Sequence, residues 1–168
     1  MGSSDPQSAI DGLIRYLPHG MTYTFEIDGS VGELEFKGFF GGGTLLIKPS
    51  SGGGSISHGA DQTGLIFINN QLDIVVQGLD ISAEAGASGP AIRAKDGDFM
   101  VKLKGVGLLG ANNSSRTAAV VAEAAYICGA DIQGVDFDNS GDPNEYADFG
   151  EELGGGGVIS DVAATCCD

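Results

Sequence analysis

The stretch Val101-Lys102-Leu103-Lys104-Gly105-Val106-Gly107-Leu108 alternates apolar and polar residues, breaks at a glycine and resumes with an apolar residue. The same figure returns three times. It reads Leu34-Glu35-Phe36-Lys37-Gly38-Phe39, then Ile74-Val75-Val76-Gln77-Gly78-Leu79-Asp80-Ile81, then Ala130-Asp131-Ile132-Gln133-Gly134-Val135-Asp136-Phe137. Each copy sets a long polar residue (Lys37, Gln77, Lys104, Gln133) before the glycine and an apolar residue after it. Gly38, Gly78, Gly105 and Gly134 therefore stand at intervals of 40, 27 and 29 residues. Self-similarity at such a period marks stacked supersecondary units.

The period translates into geometry. Three strands of about 5 residues and three connections of about 4 make a coil of roughly 27 residues. Copies one coil apart then lie above one another, with their glycines in a column where the strand bends and no Cβ is in the way. On this reasoning the chain is all-β: a right-handed parallel β-helix, a solenoid whose coils bury apolar ladders between neighbours. The competing architecture is a β-sandwich or jelly roll in which the likeness of the strands is accidental.

Around this core the chain divides into a tail and capping helix over 1–20, the β-helix over 21–165 and a short tail over 166–168. Asp5-Pro6 supplies an N-cap and a proline at the first helical position, which predicts a helix from Asp5 to Leu17. Ile10, Leu13, Ile14 and Leu17 share its face, and Pro18 stops it; such a helix closes the open end of a solenoid core. Thr22 to Ile27 alternates as a strand, with Asp28-Gly29 as a turn. Pro49 to Gly54 reads as a mobile inserted loop that lengthens the first interval. Leu65-Ile66-Phe67-Ile68 has the all-apolar character of a strand buried on both faces. Ala91–Ala94 and Ala118–Ala122 are rows of small residues, suited to a tight corner or to close contact between chains.

Glycine makes up 29 of 168 residues while charged residues are only 18%, which favours many tight turns over long helices. The net charge of −15 argues against DNA, RNA and anionic membrane as partners, since binding there rests on Lys and Arg. No apolar run reaches membrane-spanning length, so no membrane insertion is expected. Cys128, Cys166 and Cys167 are too few and too unevenly spaced for a zinc site or a disulfide framework.

The order of motifs also resembles a known family. Ser8-Ala9-Ile10-Asp11-Gly12-Leu13 and Leu17-Pro18 lead into a Thr/Phe/Ile strand; Leu34-Glu35-Phe36-Lys37-Gly38-Phe39-Phe40-Gly41-Gly42-Gly43-Thr44-Leu45 and Asp73-Ile74-Val75-Val76-Gln77-Gly78-Leu79 follow. Together they are similar to the β-helical shafts of bacteriophage tail fibres, tailspikes and baseplate appendages, and to pectate-lyase-like prophage proteins. The resemblance covers residues from about 8 to 160 and rests on structural motifs. It implies a virion part, typically a homotrimer, that joins other tail proteins and attaches to a host surface glycan or receptor. A bacterial surface adhesin is the neighbouring alternative, with an extracellular location. It carries over no catalytic residue. The second function class is a tailspike-type polysaccharide depolymerase, a hydrolase or lyase.

The acidic residues are the candidates for chemistry. Glycoside hydrolysis needs two carboxylates about 5–9.5 Å apart. Asp80 and Asp136 share a slot two residues past the repeat glycine but stand two coils apart, roughly 10 Å. Glu84, Asp96 and Asp98 read as solvated turn carboxylates. His19 and His58 each neighbour a glycine, and Gly41-Gly42-Gly43-Thr44 lacks the Lys and following helix of a phosphate loop. No organic cofactor is expected. Asp136-Phe137-Asp138-Asn139-Ser140-Gly141-Asp142 follows the start of a calcium loop, with Asp136, Asp138, Ser140 and Asp142 as the candidate Ca²⁺ ligands. Ala147 replaces the bidentate Glu at position 12, and the flanking strands are not those of an EF-hand, so a solvated acidic turn is the rival reading.

Overall fold

The computed structural model describes residues 5–59, 62–83, 89–96, 100–104, 107–109, 120–123, 126–130, 149–151 and 158–160. Among the described residues the chain is all-β apart from one short helix, α1 (Pro6–Asp11). The strands are β1 (Tyr16–Leu17), β2 (Thr22–Val31), β3 (Leu34–Lys37), β4 (Phe40–His58), β5 (Leu65–Ile68), β6 (Gln71–Gln77) and β7 (Asp80–Ala83). They continue with β8 (Ile92–Lys95), β9 (Met100–Lys104), β10 (Gly107–Leu109), β11 (Val120–Glu123), β12 (Tyr126–Ala130), β13 (Phe149–Glu151) and β14 (Val158–Ser160).

Among the described residues these strands make two sheets, one of nine strands and one of five (β3, β5, β8, β11, β13). Every described pairing between strands is parallel. An antiparallel sandwich or jelly roll pairs its strands the other way. Two successive passes visit the smaller sheet once and the larger sheet twice, as β5, β6, β7 and then β8, β9, β10. Leu65 pairs with Ile92, Ile74 with Val101 and Ile81 with Leu108, in each case a partner 27 residues further on. The long β4 joins both parts of the larger sheet, pairing with β6 through its first half and with β7 through its last residues.

Period-2 alternation sends one set of side chains inward on every pass. Leu34, Leu65 and Ile92 lie in register, as do Phe36, Phe67 and Ala94, and as do Leu45, Ile74 and Val101. None of these nine is more than 2% exposed. Each buried aliphatic or aromatic side chain contributes about 1.5–3 kcal/mol of apolar burial. The aromatic centre is Phe36, stacked on Phe67 at 5.8 Å between ring centroids and met edge-on by Phe25 at 5.4 Å.

The helix is shorter than the sequence predicts. Asp5 caps it by accepting from the Gln7 amide, Pro6 opens it, and it ends at Gly12. The Arg15 guanidinium donates to the Ile10 carbonyl at 2.9 Å, satisfying a backbone acceptor that another helical turn would have used. Ile14, expected on the buried face, is 78% exposed, whereas Leu17 is buried because Tyr16–Leu17 pairs with Phe40 and Gly41 as a strand.

The expected glycine column is also corrected. Gly38 follows β3 in the five-stranded sheet and Gly78 follows β6 in the nine-stranded sheet, so the two do not stack. The residues beside Gly38 on the next passes are Asn69 and Asp96, since the Gly38 amide donates to Ile68 O and the Asn69 amide to Lys95 O, both at 3.0 Å. Their φ values are 71°, 49° and 57°. The column is thus a left-handed corner, a conformation Asn and Asp tolerate with glycine. Gly105 and Gly134 lie outside the described residues. Beside Met100–Lys104 of the third copy lies Tyr126–Ala130, with Ile127 paired to Val101, and residues 131–137 of the fourth copy lie outside the described residues.

Two expected breaks are strand. Asp28-Gly29 lies inside β2, and Pro49 to Gly54 lies inside β4. Ile27 pairs with Pro49 and Gly29 with Gly54, so β4 carries extra residues in a bulge. The Ser50 hydroxyl holds the bulge, donating to Asp28 at 2.8 Å and accepting the Gly52 amide at 3.2 Å. Glycine is required where the bulge closes, because a Cβ at Gly54 would stand 2.0 Å from Ile27 O.

Candidate functional site

A cleft lined largely by acidic residues lies where α1 meets β3. It is a groove of about 350 Å³ lined by Gln7, Asp11, Glu33 and Glu35. Helix geometry places Gln7 and Asp11 one turn apart on one face, and β3 presents Glu35 outward between the inward Leu34 and Phe36. The Gln7 side chain accepts from Glu35 N at 2.8 Å and donates to Glu35 O at 3.0 Å. An amide side chain thereby occupies the place of a neighbouring strand on the free edge of β3. Asp11 accepts from Gln7 Nε2 at 3.0 Å and faces the Arg15 guanidinium at 3.9 Å. Glu33 accepts the Thr63 amide at 2.7 Å. These contacts tie the helix and the 62–64 segment to the sheet, and they engage Asp11 and Glu33 structurally.

A second polar device lies inside. Asn70 is fully buried; its Oδ1 accepts the Phe39 amide at 2.9 Å and its Nδ2 donates to the Phe36 carbonyl at 3.0 Å. It links the corner of one pass to the corner of the pass before. The sequence marks Asn69-Asn70 as a turn, but periodicity alone does not show that one of the two amides points inward.

The residues singled out in the sequence fall as follows. Asp136, Asp138, Ser140 and Asp142, the candidate calcium ligands, lie outside the described residues, as do Glu84 and Asp98. Asp80 is exposed on β7, paired with Ser55 and Gly107. Asp96 is exposed at the left-handed corner. His19 is exposed; His58 is buried at the end of β4, its Nδ1 2.9 Å from Gln62 O. Gly41 to Gly43 form part of β4, where the register shifts between Phe40 and Thr44, and no helix follows them. Of the small-residue rows, Ala91 and Ala94 are 1% and 0% exposed. They pack inside the molecule, so the alanines of this row offer no face to another chain.

Among the described residues no group of three or more His, Cys, Asp or Glu is disposed to hold a metal ion. No helix of the described residues is long and apolar enough to cross a membrane. Comparison with protein-family models, with curated proteins and with solved structures finds no match.

Proposed function

We propose that this chain is a right-handed parallel β-helix serving as a segment or small appendage of a phage-like tail, where it acts as a structural and adhesion part. The observation that carries the reading is the set of parallel ladders, in which β5, β6 and β7 each meet a partner 27 residues further on in β8, β9 and β10. Parallel strands joined by crossovers take the right hand in nearly all cases. A stack of this kind grows along one axis, which suits a shaft that holds a surface at a distance. The short α1 covers the end of the smaller sheet, and the outward faces are left for contact.

The resemblance to tail fibres, tailspikes and baseplate appendages supports the rest of the proposal: a homotrimer in the virion, joined to other tail proteins and directed at a host surface glycan or receptor. Light scattering at micromolar concentration tests the assembly, with an expected mass three times the 17.0 kDa protomer. Retention on intact bacterial cells or on purified surface polysaccharide tests the adhesion. A stable monomer that no bacterial surface retains would overturn the proposal.

A further inference from the structure

The two sheets are finished differently at their N-terminal edges. The free edge of β3 is covered by α1, with Gln7 bonded to the backbone of Glu35 on both its N–H and its C=O. In the larger sheet the short β1 and the longer β2 both pair with β4, and among the described residues no strand lies on the other edge of β2. The Thr44 amide donates to Met21 O, so the odd-numbered backbone groups of this segment face β4. By alternation Thr22, Thr24 and Glu26 direct their amides and carbonyls outward.

The inward ladder ends open at the same place. Tyr23 is in register with Leu45, Ile74 and Val101, which are 0% exposed, yet Tyr23 itself is 41% exposed. The large hydrophobic side chains left exposed in the described residues are Ile14, Tyr16, Met21, Tyr23 and Phe40. Four of them belong to this first pass, and Phe40 packs on Tyr16 at 5.4 Å between ring centroids. An apolar end beside an unpaired strand edge is a template for another strand.

Charge selects the occupant. On the inner edge Glu26 meets Lys48 at 3.1 Å, and Asp28 adds a second carboxylate to β2. A strand on the outer edge meets the same acids from the other side. A second copy pairing through this same edge would bring its own Glu26 and Asp28 up to these acids, like charge against like. We infer that the outer edge of β2 is a docking site for an extended basic segment of another protein, which adds as a strand, covers Tyr23 with an apolar side chain and sets Lys or Arg beside Glu26. This goes beyond the proposed function and holds wherever the chain works.

The probe is a synthetic ten-residue peptide of alternating Val and Thr with one central Lys, titrated into isotope-labelled protein. The amides of Thr22, Thr24 and Glu26 are expected to shift and to gain protection from hydrogen exchange, while those of Tyr23 and Phe25, already paired with β4, keep theirs. Replacing the peptide's Lys by Glu should weaken binding roughly threefold at low salt, the worth of one exposed ion pair. Thr24→Pro removes an outward N–H without touching the β4 ladder and should abolish binding. Glu26→Lys gives a second readout that needs no proline, because it should reverse the preference between the two peptides. Absence of binding at millimolar peptide, or binding unchanged in both variants, overturns the inference. So does protection of Thr22, Thr24 and Glu26 in the free protein, which would mean that the edge is already covered.

Discussion

Asn70→Ala should destabilise this fold more than its size suggests. The side chain is fully buried and makes two hydrogen bonds, to the Phe39 amide and the Phe36 carbonyl. Truncation strands a buried donor and removes a donor from a buried acceptor. An orphaned buried group costs about 1–3 kcal/mol, with the N–H at the upper end because it has no second partner to turn to. The expected loss is therefore about 2–4 kcal/mol, a large share of the ~5–15 kcal/mol typical of a domain. With a urea slope of about 2 kcal/mol/M, the midpoint falls by roughly 1–2 M. Hydrogen exchange should locate the effect, with the Phe39 amide losing protection first.

Asn70→Asp separates the two bonds. Its carboxylate keeps the acceptor for Phe39 but turns an oxygen toward the Phe36 carbonyl and buries a charge, which raises the folded-state pKa of the new Asp. A raised pKa means that stability is fully present below the unfolded value of about 3.9 and is lost as pH rises through the folded value. Relative to wild type, this variant should thus recover on acidification, when the protonated carboxyl can again donate. Asn69→Gly is the control, since Asn69 is exposed with φ of 49° and glycine adopts that conformation freely. A midpoint shift below about 0.3 M for Asn70→Ala, with the Phe39 amide still protected, would refute the reasoning.

Phe36→Ala should cost about 3–5 kcal/mol, because the ring is fully buried against Phe25, Phe39 and Phe67; thermal unfolding measures it. Gly54→Ala should destabilise strongly, since its Cβ would collide with Ile27 O, whereas Gly52→Ala, with nothing nearer than 3.5 Å, should be close to neutral. Calorimetry with Ca²⁺ on wild type and on Asp138→Ala should separate a calcium loop at Asp136–Asp142 from an acidic turn; binding heat that the substitution removes marks the loop.

Sequence legibility followed the physics of each signal. Inward ladders were visible because period-2 alternation depends on burial alone, so Leu34/Phe36, Ile74/Val76 and Val101 were all placed in strands. The corner was half visible. Its requirement is a left-handed backbone, which glycine signals directly, so Gly38 stands out, while Asn69 and Asp96, which meet the same requirement, read as ordinary turn residues and not as members of one column. The bulge at 50–53 was hidden because its composition is that of a loop; what keeps it in the strand is the Ser50–Asp28 hydrogen bond, a contact 22 residues apart in sequence. The acidic groove was hidden for a similar reason, since Gln7 meets Glu35 only through the fold.

Small residues misled in another way, and the consequence bears on assembly. Ala91 to Ala94 has the composition of a close contact between chains, but Ala94 stacks directly on Phe67 inside the molecule, small beside large. A trimer must therefore use side chains that point out. On the face of the smaller sheet those are Glu35, Ile66 and Arg93 in one row and Lys37, Ile68 and Lys95 in the next. Ile66 and Ile68 are the apolar members, each half-buried on the outer side of β5. If this face carries the trimer, the double substitution Ile66→Asp and Ile68→Asp should convert it to monomer and leave the circular dichroism of the strands unchanged, because neither side chain enters the core. Ala94→Asp should instead unfold the protein whatever its assembly. A trimer that survives the double substitution would place the contact on another face, and a wild-type monomer would remove the assembly from the proposed function altogether.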